Sequence, residues 1–112
     1  MRARGYLTNW IITQTNRFKG AVSISSISNL WSQWGCSAIP LWMEVELEGT
    51  PWEKPDLMIK QSPIWHAHKA KTPTLFLHGE LDFDTPISEC EQFFMVMKKM
   101  KQTARMRARM VQ

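Results

Sequence analysis

The chain has 112 residues, 44% of them apolar and 21% charged, with 14 Lys and Arg against 10 Asp and Glu. That is the composition of one ordinary globular domain, which excludes a disordered tail. No stretch reaches the roughly 18 consecutive apolar residues of a membrane span.

No signal-peptide core follows the basic start, because Asn9 and Thr13 interrupt the apolar residues there. A cytoplasmic location is expected. Cys36 and Cys90 fit no metal-ligand spacing and are expected to be two reduced core thiols. The net charge of +4 is unevenly spread: residues 1–43 carry +4, residues 44–91 carry −6 and residues 92–112 carry +6. Cations divided between two terminal segments around an acidic middle do not make a duplex-binding face, and no Trp sits in an alternating basic-aromatic run. Neither a nucleic acid nor a membrane is expected as a partner.

In chain order, the spacing predicts a helix over 6–17, with Leu7, Trp10 and Ile11 on one face and Asn9 mostly off it. Residues 20–25 read as a short strand with small residues on both faces, as in a buried parallel strand. Residues 26–34 suit a short helix capped by Ser or Asn and ended by Gly35. Residues 36–65 are irregular, with turns of helix expected at 41–47 and 55–61. Thr74-Leu75-Phe76-Leu77-His78 is an apolar run between Pro73 and Gly79, the signature of a central strand. An acidic loop follows. Thr85 then caps a helix with Pro86 at its first position, and the helix extends to about Met100 with Ile87, Cys90, Phe94 and Met97 on one face. Glu89 and Glu91 near its start and Lys98 and Lys99 near its end suit the helix dipole. Residues 103–111 alternate Ala and Met with Arg and read as a strand, or else as a frayed basic helix. Strands separated by helices predict an α/β fold with a mainly parallel sheet, whose chemistry belongs in loops at the carboxyl ends of the strands. The loop after Leu77 holds three carboxylates, Glu80, Asp82 and Asp84.

The run Thr72-Pro73-Thr74-Leu75-Phe76-Leu77-His78-Gly79-Glu80-Leu81-Asp82 resembles the segment that carries the triad aspartate in the prolyl oligopeptidase family of serine peptidases. That pattern is an apolar strand, His-Gly, two variable residues and the catalytic Asp. Gly5-Tyr6-Leu7-Thr8-Asn9-Trp10 resembles the stretch after the nucleophile, where the family reads Gly-x-Ser-x-Gly-Gly-Tyr. Phe18-Lys19-Gly20-Ala21-Val22-Ser23 is similar to the strand that follows. The similarity is closest to the acylaminoacyl-peptidase-like branch. It implies a partial α/β-hydrolase fold of about three mainly parallel strands with crossover helices, no cofactor, and a peptide as the parent family's substrate. Asp82 takes the place of the triad acid.

Departures from the pattern bear on activity. With Gly5 at the second glycine of the nucleophile elbow, Arg4 stands at the first, Ala3 before it, and Arg2 where the family has its serine. Arginine cannot attack a carbonyl. Residues 108–112 resemble the strand before the catalytic histidine. The expectation is that residues 1–112 form one truncated catalytic domain, from the elbow remnant to that strand, inactive alone for want of the serine and histidine. A homo-oligomer, or the missing half of the catalytic domain, is the expected partner.

Other constellations are weaker. Ser23 and Ser25 lie at a strand end, outside any Gly-x-Ser-x-Gly context. His66 and His68, with His78 and Glu80, have loose zinc spacing, but near Pro63 a helix end is favoured and structural histidines are expected, with no metal. Asp82 has a plain alternative, since an acidic loop before a helix also serves as solvated charge and capping. Trp31, Trp34, Trp42, Trp52 and Trp65 are expected to serve packing.

Overall fold

The computed structural model of the chain describes residues 4–37 and 48–109. Arg2, Ala3, Trp42, the turn expected at 41–47 and residues 110–112 lie outside the described residues.

Three strands form one sheet in the order β1 (Ala21–Ile24), β2 (Thr74–Gly79), β3 (Ala104–Arg109), with both pairings parallel. Ser23 registers with Phe76, and Phe76 with Met106. Parallel neighbours need a crossover, because a strand that ends at one edge must return to the other before it pairs. Helix α2 (Leu30–Cys36), helix α3 (Pro55–Gln61) and a 3-10 segment (Pro63–Lys69) lie between β1 and β2, and α4 (Ile87–Lys99) joins β2 to β3. Helix α1 (Arg4–Gln14) precedes β1. The tail is therefore a strand. Its Arg105 and Arg107 are exposed, while Ala104 is buried and Met106 half-buried. No helix among the described residues is long and apolar enough to cross a membrane.

The main core lies between β2 and α4. Phe76, Cys90, Phe93 and Met97 are fully buried, and the Phe76 and Phe93 ring centroids stand 5.7 Å apart. Phe94 packs against this cluster only from a partly buried position. The inward stripe of α4 is thus Glu89, Cys90, Phe93 and Met97 rather than the expected Ile87, Cys90, Phe94 and Met97. A smaller cluster of Ile27, Leu30 and Met58, with Tyr6 and Trp34 against it, fixes α2 on α3. Trp34 meets Trp31 and Trp52 in aromatic contacts, as the packing expectation requires, while Trp31, Trp52 and Trp65 remain exposed.

Three local expectations change. Helix α1 buries Gly5, Asn9, Ile12 and Thr13, whereas Leu7 and Ile11 face outward, because hydrogen bonds beneath it reward Asn9 for burial. In β1 only Ser23 is enclosed, and Val22 and Ile24 are 49% and 47% exposed, so this strand is covered on one face. Helix α2 passes through Gly35 to Cys36, capped at its start by the Asn29 side chain, which accepts from Trp31 N.

Cys90 is buried, but Cys36 is exposed and so does not belong to the core; both thiols are free. Burial, with the Glu91 charge added, pushes the Cys90 thiol up to about 12. At neutral pH an aromatic disulfide reagent is expected to modify Cys36 promptly and Cys90 only after denaturation. Prompt reaction of both thiols in the native chain would contradict the packing of α4 on β2.

Candidate active site

Because the strands are parallel, their carboxyl ends share one rim of the sheet, and the loop that leaves β2 after Gly79 rises from it. Of its three carboxylates only Asp82, 5% exposed, is buried; Glu80 and Asp84 face solvent. The loop is tied at several points. Asp82 N donates to Gly79 O at 3.2 Å, closing a turn, and Asp82 Oδ1 accepts from Thr85 N at 3.1 Å. His78, buried on β2, reaches Thr85 O with Nε2 at 2.6 Å. A carbonyl only accepts, so Nε2 carries the proton. From the side, Gln33 Nε2 and Ser37 Oγ of the α2 region both donate to Asp84 O, at 2.7 and 2.8 Å. The N-cap of α4 is Pro86, with no side-chain cap bond, so the Thr85 cap is not formed. Thr85 instead gives its amide to Asp82.

The first turn of α1 meets the same rim. A Cβ on Gly5 would stand 2.6 Å from Ile24 O, 2.6 Å from Ser26 Cα and 2.7 Å from Ser25 O, all backbone atoms. Glycine is required there for space, since its φ is not positive. Ser25, at the end of β1, does take a left-handed φ of 52°, a conformation uncommon outside glycine that recurs at functional turns. Arg4 opens the helix. Below, Ser23 Oγ donates to Asn9 Oδ1 at 2.9 Å, and Asn9 Nδ2 donates to Ser26 Oγ and, at 3.1 Å, to Ile27 O. Ser23, fully enclosed in this network, is not presented as a nucleophile.

The histidines are dispersed. His66 sets its ring edge-on to Trp10 at 5.5 Å and pairs with Lys60 O, His68 is exposed, and His78 serves Thr85. Among the described residues no three His, Cys, Asp or Glu side chains gather as a metal group would require.

Sequence reasoning missed Glu89. Expected only as a dipole partner near the helix start, it is fully buried. Its Oε1 accepts from Ser28 N and Asn29 N at 3.2 and 2.9 Å, and its Oε2 from Ser32 Oγ and, at 3.2 Å, Gln92 Nε2. Burial raises its pKa above the ordinary glutamate value, and the four donors oppose that shift only in part. Above about pH 4.3 the unfolded chain has released this proton while the folded state still holds it. Stability therefore falls as pH rises through the window up to the raised value, then levels off. Urea midpoints of Glu89→Gln should lack this component and gain on the parent chain as pH rises; parallel profiles would show that the carboxylate is not desolvated.

Residues 3–112 match the model of the prolyl oligopeptidase family. The chain is 44% identical over 97 residues to the uncharacterized peptidase YuxL of Bacillus subtilis, covering 86% of this chain and 15% of that protein. It is 36% identical over 104 residues to the acylamino-acid-releasing enzyme of Arabidopsis thaliana, covering 85% and 14%. The fold superimposes on the acylaminoacyl peptidase of Pyrococcus horikoshii with a TM-score of 0.86 and 30% identity, over 94% of this chain and 17% of that one. The chain thus spans about one-seventh of the length of the curated relatives it matches. The sheet and its crossovers are part of an α/β-hydrolase fold, and the chain belongs to the prolyl oligopeptidase family.

Proposed function

We propose that this chain supplies the acid-bearing part of a serine peptidase catalytic domain and that Asp82 is the triad acid. The observation that carries the reading is Asp82 itself, the one buried carboxylate in a loop at the carboxyl end of a central parallel strand. In such a triad the acid holds the base histidine in its tautomer and supports the charge it acquires, while the histidine deprotonates the serine. The close seating of Gly5 on the end of β1 supports the alignment that makes α1 the helix after the nucleophile elbow. That alignment sets Arg2 at the serine position, so the chain alone hydrolyses no peptide bond. No cofactor enters this chemistry, and a reducing, cytoplasmic setting suits the free, exposed Cys36 thiol. The test is labelling by a fluorophosphonate. The chain alone should remain unlabelled, and co-expression with the serine- and histidine-bearing remainder of a family catalytic domain should bring labelling of that remainder. Labelling of the chain alone, or none after co-expression, would reject the reading.

A second reading rests on the uncovered face of β1. Val22 and Ile24 are exposed there, and Leu7, Ile11 and Phe18 are exposed on and just after α1. Among the described residues β1 is an edge strand. Open edges with apolar neighbours promote association. On this reading the chain self-associates without catalysis. Sedimentation should show an oligomer that Val22→Lys reverts to monomer, and a parent chain that sediments as a clean monomer would exclude it.

A further inference from the structure

We propose that Glu89 is a positioning residue for the Asp82 loop, acting through α2 rather than by touching Asp82; the proposal rests on the reading of Asp82 as the triad acid. Helix α2 has seven residues, well short of the roughly 12–15 at which an isolated helix becomes even marginal in water. Its position must be imposed from outside: the Leu30 cluster seats it on α3, and Glu89 ties it to α4. One carboxylate oxygen takes both amides at the entry to α2, Ser28 N and Asn29 N, and the other takes Ser32 Oγ one turn on. The backbone repeats the link, with Ser28 Oγ donating to Glu89 O at 2.5 Å. Gln92 extends it, accepting from Asn29 Nδ2 at 2.9 Å and donating to Ser32 Oγ at 2.9 Å.

The far side of α2 then grips the loop. Gln33 Nε2 and Ser37 Oγ converge on Asp84 O, two residues beyond Asp82. Glu89 thus reaches the acid loop twice: along the chain through the first turn of α4, and across space through α2. Four polar groups converge on this carboxyl, and burying one is costly unless its partners are complete. An apolar residue would fill this volume more cheaply but would leave Ser28 N and Asn29 N unpaired. Holding α2 against the loop is what this buried carboxyl adds.

Amide hydrogen exchange tests the proposal on the 112-residue chain. Thr85 N bonds to Asp82 Oδ1 and reports the loop, whereas Thr74 N bonds to Thr103 O and reports the sheet. Glu89→Leu and Gln33→Leu are each expected to speed exchange at Thr85 about tenfold or more relative to Thr74. Glu89→Gln, which keeps an oxygen for Ser28 N and Asn29 N, should leave that ratio within about threefold. If Glu89→Leu does not fold, Gln33→Leu decides the matter. Equal loss at both amides, or an unchanged Thr85, would overturn the positioning role. In the co-expressed assembly Gln33→Leu should lower the maximal labelling rate about tenfold at unchanged half-saturation. An unchanged maximal rate beside a mobile Thr85 would also overturn it. The exchange readout involves no catalysis, so it stands apart from the test of Asp82 as the acid.

Discussion

Gly5→Ala is expected to destabilise the chain by about 3 kcal/mol. The added methyl meets three backbone atoms of the β1 end at 2.6–2.7 Å, where no rotamer change relieves the overlap. Either α1 lifts from the sheet or the Ser25 turn is displaced. Small domains hold a margin of only about 5–15 kcal/mol, so a fall in melting temperature of roughly 10–20 °C should follow. Gly35→Ala is the matched control, because a Cβ there has nothing within 4 Å. It sits inside α2, where alanine is the better helix former, and should gain about 0.5–1 kcal/mol. Urea titrations monitored by tryptophan fluorescence measure both. A loss at Gly5 below about 1 kcal/mol, the central value for arbitrary substitutions, would mean that α1 is not seated as described.

Asp82→Asn should abolish most catalysis in the assembled enzyme while barely affecting the fold. The asparagine keeps Oδ1 in place to accept from Thr85 N, so the loop retains its 3.1 Å bond. With Asp82 as the proposed triad acid, what it loses is the negative charge that would support a histidinium, and with it the preference for the correct histidine tautomer. In serine peptidases of the triad type this costs about 10⁴ in turnover. The expected result is a comparable fall in the fluorophosphonate rate, with a melting temperature close to that of the parent. A decrease of less than about tenfold would demote Asp82 to a turn-forming carboxylate. Asp82→Ala would not discriminate, because it removes the charge and the turn together.

Much of the fold was legible because its strands carry turn and period signals, although the tail also admitted a frayed basic helix. Thr74 to His78 is an apolar run between Pro73 and Gly79, and the alternation after Thr103 has period two; both became strands. Helix α1 was legible as a helix but not in its orientation. An amphipathic reading turns Leu7 and Ile11 inward, and only the serines of another element, Ser23 and Ser26, reveal why Asn9 goes there instead. Glu89 was misplaced for the same reason. A glutamate in the first turn of a helix reads as a dipole partner, and the amides that enclose it come from about 60 residues earlier. The strand pattern located the loop, motif resemblance singled out Asp82 among its three carboxylates, and the structure added its burial. Long-range polar pairing has no periodicity, so a single sequence does not display it.

The polar joint beneath α1 has a thermal consequence. An apolar seam gains from rising temperature near ambient conditions and changes heat capacity strongly when it opens. Asn9 with Ser23, Ser26 and Ile27 makes a joint of directional bonds beside one fully buried aliphatic side chain, Ile12. Its opening should be enthalpic, with a small heat-capacity change, and its fit admits only one height of the helix on the strand. A helix free to slide by even part of a turn would carry Gly5 away from the rim. This joint sacrifices adhesive strength and gains a fixed register.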